Sequence, residues 1–319
     1  MRKICFALLI VLSAQLSRAQ DINKIITAGY VDHLIKTLSS DDMQGRGLYT
    51  PGIDKAATFI EQQFKAIGLQ PLKGETGYRQ TFYKDSTDKR PLFNVAGMIP
   101  GKSRANEIVI FSGHYDHLGI VKGDLQDSIA NGADDDASGI TAVIALAKYY
   151  KALNNNERTL VFIAFTAEEI GGFGSKYFSK KLDPEQVTAM FNIEMIGKES
   201  KFGKNTAFIT GYDKSDFGKI LQKNLAGTEF TFHPDPYPQQ NLFYRSDNAT
   251  LAALGVPAHT ISTDQIDKDE FYHTVKDEYS TLDTLNILYT IKAIAKSAIS
   301  IVKGTDTPSR IPKLVDSHE

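Results

Sequence analysis

The chain has 319 residues, one cysteine, no tryptophan, and 36 basic against 38 acidic residues, a formal charge of −2. A near-neutral balance without a basic block gives no electrostatic footing to nucleic-acid or anionic-membrane binding. One cysteine excludes a disulfide framework and a zinc–thiolate site, so metal ligation here falls to His, Asp and Glu.

The chain opens Met1-Arg2-Lys3, runs through the apolar stretch Ile4 to Leu12 and reaches Ser17-Arg18-Ala19-Gln20. A charged start, a short apolar run and a small-x-small end describe a secretory signal peptide over 1–20, and an exported, periplasmic or secreted product. The apolar run is too short to remain as a membrane anchor. Cys5 lies inside it, so the remaining chain carries no thiol. Loss of Arg2, Lys3 and Arg18 leaves 33 basic against 38 acidic residues, or −5. Residues 21–304 read as one domain. The polar stretch 305–319, with two prolines, reads as a flexible C-terminal tail.

Residues 21–70 look helical: Ile53, Ala56, Ala57, Ile60, Phe64 and Ile67 recur at helical spacing, and Gly68 ends the run. Residues 78–99 alternate as strands up to the Pro100-Gly101 turn. A strand is expected over 108–111, then a Gly- and Asp-rich loop to Asn131 and a helix over 138–153. Further strands are expected over 160–165, 190–196, 207–210, 229–233 and 258–262. Helices are expected over 175–181, 215–225 and 248–254, with a long one over 281–302. Strands alternating with helices predict an α/β fold, a mostly parallel mixed central sheet with helices on both faces.

Three polar pieces follow or cap the apolar strands. Ligands of open α/β sheets bind beyond the carboxyl ends of the strands, and burying bare carboxylates there costs several kcal/mol unless a cation compensates. His114 and Asp116 stand two apart past the 108–111 strand; the His can ligate while the Asp accepts its other ring proton. Asp134, Asp135 and Asp136 sit between Gly132-Ala133 and Ala137-Ser138-Gly139, before a helix. A helix cap explains one of them; three together point to a carboxylate held near a cation. In Glu168-Glu169, one Glu can bind metal while its neighbour serves as general base. Glu194 falls within the apolar 190–196 run, where a carboxylate needs a partner, and Tyr272-His273, with Asp277 four residues after the His, supplies a late imidazole. Imidazole and carboxylate ligands without thiolate suit zinc, and two-metal sites share a bridging carboxylate.

The ordered motifs H-x-D, G-A-D-D-x-A-S-G, E-E-x-G, N-x-E-M-I-G and Y-H-T-x-x-D resemble the secreted bacterial di-zinc aminopeptidases, a family that also contains glutamate carboxypeptidase and glutaminyl cyclase. The resemblance extends to Gln44-Gly45-Arg46 and to the helix ending Ala66-Ile67-Gly68. It implies two Zn2+ per chain: His114, Asp135 and Glu194 around one, and Asp135, Glu169 and His273 around the other, with Asp135 the bridge. By the same resemblance Glu168 is the general base toward the metal-bridging water, Asp116 orients His114, and Tyr272 matches a tyrosine that hydrogen-bonds the developing oxyanion. Two positions depart from the pattern. Family aminopeptidases carry Asp where this chain has Glu194, whereas related carboxypeptidases carry Glu. In Ser246-Asp247-Asn248, Asn248 stands where the family has His.

The function implied is a metal-dependent exopeptidase acting on peptide substrates, most directly an aminopeptidase. Competing readings are a carboxypeptidase or glutaminyl cyclase on the same fold, and a non-catalytic binding ectodomain. A full ligand set and the absence of Trp to line an aromatic pocket speak against the cyclase. An intact Glu168 speaks against the binding domain. His33, His233 and His259 read as core or surface histidines, and His117 as loop structure, with an outer-shell role as the lesser alternative.

Overall fold

The apolar runs become strands because their residues alternate between two buried faces of one sheet. The computed structural model describes residues 21–122 and 127–314, so the signal-peptide reading over 1–20 lies outside the described residues. Ten strands form: β1 (Arg79–Phe82), β2 (Leu92–Ile99), β3 (Arg104–His114), β4 (Gly119–Ile120), β5 (Ile129–Ala130), β6 (Arg158–Phe165), β7 (Val187–Ile193), β8 (Thr206–Ile209), β9 (Thr231–Pro234) and β10 (Ala258–Ser262). The helices are α1 (Ile22–Ile25), α2 (Ala28–Leu38), α3 (Pro51–Ile67), α4 (Gly139–Leu153), α5 (Phe173–Ser179), α6 (Phe217–Asn224), α7 (Asn248–Ala253), α8 (Thr284–Ser297) and α9 (Ile299–Val302).

Eight strands make one mixed sheet in the order β1-β2-β6-β3-β7-β10-β8-β9, while β4 and β5 pair separately as a small ribbon. The centre, β6-β3-β7-β10, is parallel. β1 and β2 add antiparallel on one side, and β8 adds antiparallel beside β10. Every residue of β6 and β7 is buried, as expected for parallel strands covered on both faces. Side chains alternate accordingly. Val109, Phe111, Leu160, Phe162 and Phe191 join the core beneath α2, α3, α4 and α8. Ile110, Val161, Ile163 and Met190 face α5 and α7. Phe111 stacks at once on Tyr150, Phe162 and Phe191, with ring centroids 4.9–5.4 Å apart.

The parallel centre sends the carboxyl ends of β3, β6, β7 and β10 to one edge, and α4 starts against it. A Cβ at Gly139 would lie 2.1 Å from the Ile193 carbonyl oxygen, so only glycine lets the helix begin this close.

Two expectations differ from the structure. The 281–302 helix divides into α8 and α9 at Ala298. The tail is not loose as far as it is described: Ile311 is buried and donates to the Gly255 carbonyl at 3.1 Å, and Leu314 donates to Ala253 at 3.0 Å. The cause is chemical. Arg158, buried under the sheet edge, needs acceptors and finds the Ile301 and Asp306 carbonyls, each at 2.7 Å.

Candidate metal centre

The three aspartates before α4 face three different ways. Asp136 is a backbone clamp: Oδ2 accepts from the His114 amide at 3.0 Å, and Oδ1 from the Gly139 and Met195 amides at 2.9 and 3.3 Å. It thereby ties the ends of β3 and β7 to the start of α4. Asp134 turns the other way, accepting from the Gly197 amide at 2.7 Å, with Oδ2 3.7 Å from Lys198 Nζ. Burial, reinforced by Asp277, pushes its carboxyl up to about 7. Asp135 alone presents its carboxylate to histidines. Oδ1 lies 3.1 Å from His114 Nε2, and Oδ2 lies 3.2 Å from His273 Nε2.

Around that carboxylate the remaining expected groups divide into two sets. Glu194 Oε1 stands 4.0 Å from His114 Nε2, and Glu169 Oε2 stands 3.0 Å from His273 Nε2. Glu194 lies just past the end of β7 rather than inside a strand as expected. That puts its carboxylate at the sheet edge and removes the need to bury it among apolar neighbours. Burial pushes the Asp135 carboxyl up, but His117, His114 and His273 overcome it and hold it well below the usual range. Conversely, hydrogen bonds to Asp135 and Glu169 raise the His273 ring to about 10. Burial lowers His114, yet Asp135, Glu168 and Asp136 outweigh it and leave the ring well above the histidine range. Such a field favours a cation at the centre.

Asp116 does not act as expected. His114 Nδ1 donates to the Asp116 carbonyl oxygen at 3.1 Å, while the carboxylate stands 3.8 Å away. That carboxylate accepts instead from the Glu168 and Glu169 amides at 3.1 and 3.4 Å, holding the turn after β6. The backbone of Asp116 thus fixes the His114 tautomer, and its side chain aims the Glu-Glu pair. Burial, opposed by His114 and reinforced by Glu194 and Asp247, drives the Glu168 carboxyl well above the usual range.

Glu168, Glu194, Tyr272 and His273 line one cavity of about 590 Å³, counting the space open to solvent. The Tyr272 ring stacks on His273 with centroids 3.9 Å apart. Ala167, Met195 and His273 all have left-handed backbone, with φ of 58°, 51° and 58°. Such a conformation costs about 1–3 kcal/mol at a non-glycine residue and concentrates at functional sites.

Four residues of this centre were named in the sequence without being assigned a part in it. His117 lies in the connection between β3 and β4, yet it is buried and its Nδ1 lies 2.7 Å from Glu169 Oε1, the lesser of its two readings; the spacing H-Y-D-H past a strand was the available signal. Asp277 accepts from the Asp134 amide at 2.9 Å and the Asp135 amide at 3.0 Å. Arg46, fully buried, caps five carbonyls around the same loop. Asp247 is buried with both carboxylate oxygens lacking a partner among the described residues. Asn248 is structural: its amide donates to the Phe243 and Ala258 carbonyls at 2.9 and 3.2 Å.

The sequence profile of peptidase family M28 matches residues 94–298. The chain belongs to peptidase family M28. This M28 chain is 27% identical over 254 residues to a probable leucine aminopeptidase of Arthroderma otae, a match covering 75% of the chain and 64% of that protein. Among curated relatives it spans 27% to 64% of the length of the first three matched. The M28 fold is shared with an aminopeptidase from Aneurinibacillus sp. strain AM-1, at TM-score 0.64 and 18% identity over 92% of this chain and 97% of that one. It is shared equally with a glutaminyl cyclase of Porphyromonas gingivalis, at TM-score 0.67 and 14% identity over 87% and 99%. The fold alone therefore does not choose between hydrolysis and cyclisation.

Proposed function

We propose that the chain is a zinc-dependent exopeptidase of the aminopeptidase type, with His114, Asp135 and Glu194 holding one Zn2+ and Asp135, Glu169 and His273 a second. One observation carries this reading: the two oxygens of Asp135 face two different imidazoles, each with a second carboxylate beside it. The donor set fits zinc. His114 Nε2 is buried and has no hydrogen-bond partner among the described residues, although Asp135 Oδ1 is 3.1 Å and Glu194 Oε1 4.0 Å away; a buried ring nitrogen between two carboxylates suits a shared cation. Zinc held there supplies Lewis acidity toward a scissile carbonyl and makes water more acidic.

The protein's own groups do the rest. Glu168 takes a proton from the attacking water and returns it to the leaving amine. Tyr272 donates to the carbonyl oxygen as charge develops on it. Asp116 fixes the turn that carries Glu168 and Glu169, and His117 positions Glu169. The first 20 residues support export behind a signal peptide. Among the described residues no helix is long and apolar enough to cross a membrane.

The test is hydrolysis of free and N-acetylated peptides and aminoacyl anilides by chelated and zinc-restored protein, beside Glu168→Gln. Zinc-restored cleavage of free-amine substrates only, lowered about 10²–10⁴-fold in the variant with metal content unchanged, is the expected result. Cleavage that tolerates acetylation but needs a free C-terminus replaces the aminopeptidase with a carboxypeptidase. A zinc content unaffected by His114→Ala and His273→Ala overturns the ligand assignment.

A further inference from the structure

Two ionisable residues lining the cavity, Arg245 and Asp264, have no part in the chemistry above, and of these Asp264 is the buried one. Asp264 follows β10 by two residues. Its amide donates to Ser262 Oγ at 3.2 Å, and the same hydroxyl donates to the Met195 carbonyl at 3.0 Å. That anchors Asp264 beside the segment carrying Glu194. The residue is 3% exposed, and neither carboxylate oxygen has a hydrogen-bond partner among the described residues. It lines the same cavity as Glu168, Glu194 and Tyr272, among walls supplied by Met195, Phe208, Leu242 and Ile266. Apolar walls interrupted by the Thr210, Thr260 and Ser262 hydroxyls, with one buried, unpaired carboxylate outside the metal-ligand set, complement a long aliphatic chain ending in a cation.

We propose that Asp264 sets the substrate preference of this cavity, receiving the cationic side chain of a lysine or arginine at the first position of the peptide. The proposal rests on the peptidase reading of the same site and names its substrate class.

Charge balance behind the cavity wall supports it. Carboxylate oxygens of Asp134, Asp264 and Asp269 lie within 4.8 Å of one another. The ammonium beside them, Lys198, is bonded to Asp269 and stands 3.7 Å from Asp134. Three carboxylates against one ammonium leave Asp264 the most weakly compensated. Burial, with Asp134 and Asp269 adding to it, pushes its carboxyl up to about 8. A second cation relieves that repulsion; Asp264 borders both this cavity and an outer pocket lined by Lys198, Lys268 and Asp269, and of the two only this cavity also holds Glu168, Glu194 and His273. Arg245, a cationic lining residue, is exposed. A neutral chain of the same length gains packing alone, whereas a site built around a buried charge discriminates strongly against a ligand that leaves it unpaired.

The experiment compares lysine with norleucine, which keeps the aliphatic chain and lacks the ammonium. For zinc-loaded full chain, kcat/KM is measured on the two aminoacyl anilides, and binding of free L-lysine and L-norleucine is measured by calorimetry. Lysine is expected to lead by about tenfold or more in both, and the ratio to collapse in Asp264→Asn. A wild-type ratio near one overturns the proposal, as does a variant that weakens both ligands alike and leaves the ratio intact. If neither anilide is cleaved, the peptidase reading fails separately and the calorimetric ratio still decides on Asp264. If Asp264→Asn does not fold, Asp264→Ser carries the same comparison, and the wild-type ratio stands by itself.

Discussion

Arg46 is the residue whose replacement tests most directly how the centre is held. Its guanidinium is fully buried and donates to the carbonyls of Tyr115, Leu38, Asn131, Gly132 and Asp135, at 2.9, 2.8, 2.6, 2.8 and 3.2 Å. Those carbonyls belong to the end of α2, to the loop after β3 and to the stretch from Asn131 to Asp135, so one side chain joins three stretches of chain. Lysine keeps the charge but offers three donors where the planar fork offers five. At least two carbonyls then lose their partner, at about 1–3 kcal/mol each. Arg46→Lys is therefore expected to lose about 2–6 kcal/mol, a large share of the 5–15 kcal/mol of a typical domain. Urea unfolding with and without zinc measures it. Because Gly132 and Asp135 are among the five carbonyls, zinc affinity is expected to fall with stability. An Arg46→Lys protein within about 0.5 kcal/mol of wild type, the size of an ordinary surface substitution, would refute the reasoning. It would mean that water or a shifted backbone satisfies those carbonyls at little cost.

Two further expectations concern groups away from the cavity chemistry. Asp277→Ala removes the acceptor shared by the Asp134 and Asp135 amides; it is expected to cost about 2–4 kcal/mol and to lower zinc affinity, read by competition with a chelating dye. His259 is buried, donates from Nδ1 to the Thr210 carbonyl at 2.8 Å and accepts at Nε2 from Ser215 Oγ at 2.8 Å. Burial holds its ring down to about 4. The unfolded chain takes the proton first, near the ordinary value of about 6.5. The contribution of His259 to stability is therefore complete above pH ~6.5 and lost as pH falls through about 4, a difference of about 3 kcal/mol. In urea titrations from pH 7 to 4, His259→Gln should lose stability less steeply than wild type; parallel slopes would show that the ring is not held neutral.

How much of this was legible in the sequence follows from which interactions are local. Period and burial are local properties: continuous apolar runs such as 160–165 read as central strands, and helical spacing from Ile53 to Ile67 read as α3, because each residue reports its own environment. The residues at the carboxyl edge of the sheet were legible for the opposite reason, since His114, Glu169 and Glu194 sit where packing has no use for them. What escaped were the supporting roles, in which a side chain holds backbone far along the chain. Arg46 reaches across 89 residues to the Asp135 carbonyl, and Asp277 across 142 to its amide; nothing near either residue announces the contact. The Asp134-Asp135-Asp136 run shows the limit well. A helix cap and a cation site were both offered for it, and the structure divides the residues between them: Asp136 accepts from Gly139 at the start of α4, and Asp135 faces the imidazoles. Adjacent carboxylates of one charge can take separate tasks because the sharp turn before α4 points each at its own cluster of donors. Asp136 and Asp134 spend themselves on backbone amides and Lys198, which leaves Asp135 free of competing hydrogen bonds from its own loop and open to whatever cation the histidines share.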